Sequence, residues 1–326
     1  VTNQITTVSS LFSTPYLTIA EFKQAPTAVD VDDLVGGGTQ AINDQELTNV
    51  IARASSWIDS HCGQVLAATT DTESMRARIS RQGMLTVHPR YSPVSEVVSL
   101  SYGPYPQIMS SVDVSQLWIE PESITFPIQG YSASFLGPIQ FSGSYSANQE
   151  QFVTFTYVNG YANTVLTASV SASATSLPVQ DLSGFMPGQR FQIFDGSSTE
   201  ICTVASTFVP ASGAGNVTLA AHPAYSHATG LAVSALPPAV KQAAIYITSA
   251  ILKARGNATL VMASLTPNQV QTTNPSSAND LNAAWDILKP FRCGDAETHP
   301  RDGLPLRAAD RYRVRRCRHC ADREFA

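Results

Sequence analysis

The chain has 326 residues, of which 43% are hydrophobic and 14% charged, with a formal net charge of −5. That length accommodates two or three units able to bury cores of their own, and the acidic balance excludes a globally basic nucleic-acid binder. Charge well below the usual ~25% suits β-rich modules, or subunits that bury much of their exterior in an assembly.

The charge is unevenly spread. Residues 291–326 hold nine Arg against four Asp and two Glu, a surplus of +3 that leaves −8 on residues 1–290. The five cysteines, Cys62, Cys202, Cys293, Cys317 and Cys320, are scattered and odd in number, which argues against a disulfide framework and for a reducing compartment. The first ten residues do not read as a basic-then-apolar leader, and no apolar run approaches the ~20 residues that span a bilayer, so neither a secreted precursor nor a membrane protein is expected.

In chain order, residues 1–16 are Ser/Thr-rich and non-periodic and read as an arm. Thr18 and Glu21 have the spacing of a capping box opening a short helix, limited by Pro26. After the loop at Gly36, Gly37 and Gly38, the stretch from Asn43 to Glu46 repeats that logic. Leu47, Val50, Ile51, Ala54, Trp57 and Ile58 then form a helical stripe ending at Gly63, with Trp57 expected as its central plug.

Between residues 76 and 161 the period falls to two. Strands are expected at 76–81 and 84–87, joined by a hairpin at Gln82 and Gly83, and at 94–102, 112–119 and 152–158, with the prolines confined to edges and turns. Short strands at 176–179, 190–194, 201–205, 217–219 and 231–233 make a second β unit, which needs closure into a small barrel or docking on a neighbour.

Residues 236–256 carry the longest amphipathic helix signal, with Pro238 suited to the first position, Gly256 to the left-handed stop, and Ile247 and Ile251 on the buried face. Ser277 to Asp280 cap a last helix with Trp285 inward, stopped by Pro290. The predicted fold class is α+β: a discontinuous helical bundle from the two terminal arms, an inserted antiparallel β domain and an additional small β module. The expected divisions are 1–75, 76–164, 165–235, 236–292 and a basic Cys/Arg-rich tail at 293–326. Trp57, Ile58, Ile247, Ile251 and Trp285 are the predicted core.

Candidate chemistry is confined to that tail. Cys293, His299, Cys317 and Cys320 form the one metal-like arrangement, whose spacing matches no common zinc module, so no metal and no cofactor is expected. Arg311, Arg313, Arg315, Arg316 and Arg318 suit either an acidic partner surface or phosphates, with too few interleaved aromatics for base stacking. The remaining histidines are scattered, with His222 and His227 read as exposed loop residues. There is no G-x-S-x-G elbow, P-loop, H-E-x-x-H or carboxylate pair, so no enzyme is expected.

The order of five stretches, YLTIAEF at 16–22, ASSWID at 54–59, YSPVSEV at 91–97, FTYVNGY at 155–161 and LPPAVKQAA at 236–244, resembles the head-to-tail connector, or adaptor, proteins of tailed bacteriophages over residues 16–160 and 236–292. The resemblance implies a structural virion protein at the head–tail junction, assembled in the host cytoplasm. It implies a homo-oligomeric ring, usually of twelve subunits, between the portal protein and the tail or its stopper and nozzle proteins. The lumen of such a ring serves genome ejection, passing double-stranded DNA without sequence-specific contact and without a membrane. The module at 165–235 and the Arg/Cys-rich tail depart from the smallest connectors. The competing reading is a β-rich tail-surface protein or adhesin that binds a receptor or glycan through residues 165–235.

Overall fold

The computed structural model describes residues 4–7, 15–27, 29–128, 149–254 and 275–293, with backbone alone at 4–7 and 275–278. It has helices and antiparallel sheets in two compact units. One unit holds the described residues between Phe12 and Val65 and those from Pro237 onward; the other holds those up to Leu11 and from Leu66 to Leu236. Segments distant in sequence therefore share the helical unit, whereas Gln4–Thr7, read from sequence as part of a non-periodic arm, is a strand of the other unit.

In the helical unit, α1 (Ile19–Gln24) opens with the expected capping box: the Glu21 amide donates to the Thr18 hydroxyl and the Thr18 amide to the Glu21 carboxylate. The same carboxylate accepts from Lys241, an ion pair almost wholly removed from solvent. Helix α2 (Gln40–Cys62) begins before Asn43, with Thr39 at its N-cap, and closes on left-handed Gly63. Asn43 is no cap. It is buried, donates to the Asp32 carbonyl and accepts from the Val35 amide at 3.0 Å, and so ties the preceding loop to the helix flank.

Trp57 corrects the core expectation, being 47% exposed while Leu47, Val50, Ile51, Ala54, Ile58 and Cys62 are buried. The buried face centres on Ile51 and Ile58. At 3.6 residues per turn Trp57 lies about 100° from Ile58, just past its edge.

Helix α3 (Pro238–Ala254) packs against α2 and α4 (Pro275–Leu288). Pro238 is its first residue, as its missing N–H favours. Ile247, Thr248, Ser249 and Ala250 are all buried, so the middle of α3 is enclosed on every side rather than along one stripe. Ile251 is only half-buried, on the last turn. Gly256 lies outside the described residues. Helix α4 starts at Pro275, which places Ser277 inside it rather than at a cap. Trp285 is half-buried and stacks on His61 with ring centroids 4.3 Å apart.

The other unit begins with strands β1 (Gln4–Thr7), β2 (Thr69–Arg78), β3 (Met84–Val87), β4 (Val94–Tyr105), β5 (Ile108–Ser111), β6 (Trp118–Glu120), β7 (Ser123–Pro127) and β8 (Glu150–Asn159). A five-stranded sheet in the order β1-β2-β8-β4-β5 and a three-stranded sheet β3-β7-β6 share one core, which includes Leu85, Val97, Phe126, Val153, Phe155 and Tyr157. The strand expected at 112–119 does not form. The chain pairs earlier, as β5, and Asp113 then caps a 3-10 turn at Val114–Gln116 before β6. A cap-and-turn signal at Asp113 thus overrides the apolar alternation.

Strands β9 (Asn163–Val165), β10 (Ser176–Val179), β11 (Arg190–Phe194), β12 (Glu200–Thr203), β13 (Gly215–Thr218) and β14 (Ala232–Ser234) form the small module. The pairings β12-β11-β14-β9 and β10-β13 are joined by single bridges, Leu166 to Val179 and Val204 to Leu219, so the ring of pairings closes into a six-stranded barrel. It is filled by Leu177, Phe185, Phe191, Ile193, Val217 and Val233, with Phe185 and Phe191 edge to face at 5.4 Å. Closure is the physical answer to strands of three to five residues, which leave too little apolar face to stand as an open sheet.

Candidate functional site

Most of the predicted tail site lies outside the described residues: His299, Cys317 and Cys320 of the metal-like set, and Arg311, Arg313, Arg315, Arg316 and Arg318. Cys293 is described, and its contacts are structural. Its amide donates to the Cys62 carbonyl at 2.7 Å and its thiol to Gln64 Oε1 at 3.0 Å. Burial, then the charge of Asp59, pushes the Cys62 thiol up to about 12, far from a reactive thiolate. Among the described residues no three His, Cys, Asp or Glu side chains converge to hold a metal ion, and no helix is long and apolar enough to cross a membrane.

Two buried polar groupings stand out, both in the β unit. In the larger domain, Asp71 and Glu73 on β2 face Tyr157 and Asn159 on β8, all four nearly or wholly buried. The Tyr157 hydroxyl donates to Glu73 at 2.5 Å, the Arg90 amide donates to the same carboxylate at 3.0 Å, and Asn159 Nδ2 donates to Asp71 at 2.7 Å. Burial pushes Glu73 above the ordinary carboxylate range, against the pull of those donors. Tyr157 is pushed up by its burial, then by the Glu73 charge. This buried network ties β2 to β8.

In the barrel, His227 is buried rather than exposed, correcting the expectation for that loop. Nδ1 lies 3.0 Å from Asp195 Oδ2 and Nε2 lies 2.6 Å from Glu200 Oε1. Its ring has no solvent exposure, so it offers no base to a substrate. Nothing local in the sequence links position 227 with 195 and 200; the barrel's closure brings them together. His222, by contrast, is exposed, with Nδ1 3.0 Å from the Ala174 carbonyl.

The surface carries the stronger signal. Strands β5 and β6 are each the last strand of a sheet among the described residues. The segment from β4 to β6 presents Tyr105 at 61%, Ile108 at 64% and Trp118 at 67% exposure, with Val114 and Ile119 also exposed. Tyr105 and Ile108 face each other across the β4–β5 pair at the hairpin tip. Large apolar side chains on strands that end a sheet, as these do among the described residues, are what monomers avoid and what protein partners cover. Periodicity gave no sign of their exposure, because it counts apolar residues as inward.

No family model matches the chain, and no curated protein matches it. Among solved structures, a chain from the neck of an empty GTA particle computed with C6 symmetry aligns with 89% of this chain and 96% of that one, at 12% identity and a TM-score of 0.32. At that identity and score the alignment by itself transfers neither fold nor function.

Proposed function

We propose that this chain is a structural subunit of a phage-like virion, a head-to-tail connector that closes into a homo-oligomeric ring between the portal protein and the tail. The observation that carries the reading is the set of exposed apolar side chains on β5 and β6, each the last strand of its sheet among the described residues. A head-to-tail interface on such edges generates cyclic symmetry and covers these side chains. The ordered motifs resembling connector proteins supply the biological setting, including a ring of twelve, a portal partner and a lumen that passes double-stranded DNA. The charge of −8 on residues 1–290 fits that conduit, since an acidic wall repels the DNA backbone and lets it slide. Catalysis has no part in the proposal, which rests on shape and on surfaces.

The test is mass photometry and negative-stain imaging of the purified chain, alone and with a portal assembly. Rings are expected in at least one condition, and Ile108→Lys with Trp118→Lys is expected to abolish them while leaving the circular dichroism spectrum unchanged. A monomer in both conditions overturns the connector reading, and rings that survive the double substitution remove the β5–β6 edge as the interface. The alternative, recognition of a receptor or glycan by the barrel, draws on exposed Ile201, Val209 and Tyr225. Glycan-array binding by the full chain, lost on Tyr225→Ala and without ring formation, would establish it instead.

A further inference from the structure

His227 is wholly buried with a carboxylate oxygen at each ring nitrogen. A carboxylate accepts only, and a neutral imidazole carries one N–H, so both contacts are hydrogen bonds together only when the ring is an imidazolium. Among the described residues neither Asp195 nor Glu200 pairs with a lysine or arginine, which leaves His227 as the sole counter-charge for two carboxylates.

The two carboxylates are held unequally. Glu200, on β12, is 11% exposed and also accepts from the Ala224 amide at 2.7 Å and the Tyr225 amide at 3.3 Å. Asp195, in the turn after β11, is 32% exposed, and its carboxylate has no other hydrogen bond among the described residues. His227 itself is pinned through its backbone, which exchanges two 2.8 Å hydrogen bonds with Val170. The other ionisable groups on these elements add no compensating charge. The Cys202 thiol is pushed up to about 11 by burial, then by Glu200, and stays neutral. His222 is turned to the Ala174 carbonyl, and Tyr225 meets Glu200 through its backbone.

We propose that His227 is a proton-operated latch on the barrel, shut when the imidazolium holds the Asp195–Thr199 turn to the 222–227 loop and released on the Asp195 side when the Nδ1 proton leaves to water by way of the partly exposed Asp195 carboxylate. On deprotonation the single remaining N–H stays on Nε2 with Glu200, the shorter and better-shielded contact. The Nδ1 lone pair then faces a carboxylate lone pair, and Asp195, which already touches water, swings outward. The β12 side does not move, because two backbone amides and the Val170 pairing persist. Burial raises Glu200, but the Ala224 amide, His227 and the Tyr225 amide together outweigh it and hold that carboxyl below the ordinary range, so Glu200 remains charged across the acidic side of the transition.

The test reads the full chain by hydrogen exchange at about pH 5.5 and about pH 9, corrected for intrinsic exchange. Protection of the amides at 195–199 is expected to fall about tenfold or more at the higher pH relative to β11 and β14. Asp195→Asn, at a partly exposed position, is expected to fold and to show no such fall, since an amide can meet either protonation state. Nitrogen-15 spectra of the histidine rings should show His227 with two N–H groups at the lower pH and one, on Nε2, at the higher. An unchanged protection ratio, an equal fall in Asp195→Asn, or a single N–H at both values overturns the latch. None of these readouts depends on ring formation or portal binding.

Discussion

Ile247 and Ile251 sit one turn apart on α3, and their surroundings set different costs for the same substitution. Ile247 is wholly buried, whereas Ile251 lies half-buried on the last turn. Ile247→Ala is expected to lower the unfolding free energy by about 2–5 kcal/mol in urea titration, and Ile251→Ala by roughly half of that or less, in proportion to the area removed from water. Equal losses would show that Ile251 is covered. At Glu73 the lever is pH. Its carboxyl is raised by burial, so the folded chain holds that proton more tightly than the unfolded one. Stability from this group is therefore greatest below the ordinary glutamate value of about 4.3 and declines as pH rises through the raised folded value. Glu73→Gln keeps an acceptor for Tyr157 and carries no charge. Its melting temperature relative to wild type is expected to climb as pH rises above the ordinary glutamate value, and a difference that stays flat would count against the assignment. Neither Glu73 nor His227 was legible as a special residue from sequence, since each gains its environment from partners 17 to 84 positions away.

At the scale of elements, local chemistry reads well where the signal and the structure are both local. Thr18 and Glu21, three residues apart, cap α1 as expected; Gly63 ends α2; Pro238 starts α3. Reading failed where an element's limits depend on neighbours. Helix α2 starts at Gln40 because the loop at 32–35 hangs from Asn43, and β5 exists because β4 continues to Tyr105 and gives it a ladder. The β4–β5 ribbon hinges on Gly103, where an added Cβ would lie 1.8 Å from the Ile108 carbonyl oxygen. Gly103→Ala is thus expected to peel β5 from β4, with faster amide exchange at 108–111 and loss of rings, while the β2–β8 amides keep their protection. Normal protection at 108–111 in this variant would mean that the ribbon absorbs the side chain by shifting.

At the scale of the molecule, the α+β class and the discontinuous bundle were legible because each terminal arm carries a helix with explicit start and stop residues and an unpaired apolar face, and such faces must meet. The strand-rich middle was legible through its period of two and its turn residues. The short strands of residues 163–234 announced a need for closure. They did not announce the order β12-β11-β14-β9 and β10-β13, with two bridging residues on each seam, because non-local pairing leaves no mark on the local pattern. Composition pointed to assembly through its low charge, yet gave no address for the interface. Tertiary structure alone decided which apolar residues stay outside: Trp57 by about 100° of helix rotation, Tyr105 and Ile108 at the tip of the β4–β5 hairpin, and Trp118 on an end strand. It decided likewise that one loop histidine is buried between two acids and its neighbour is not. Sequence by itself determined most of the helices and turns and the strand-rich character of the middle, since those choices rest on backbone conformation and the side chains nearby, but not β1 or the limits of β5 and β6, which follow from the strands they pair with. Burial, edge position and charge pairing are properties of residues distant in the chain, and only the folded molecule brings them together.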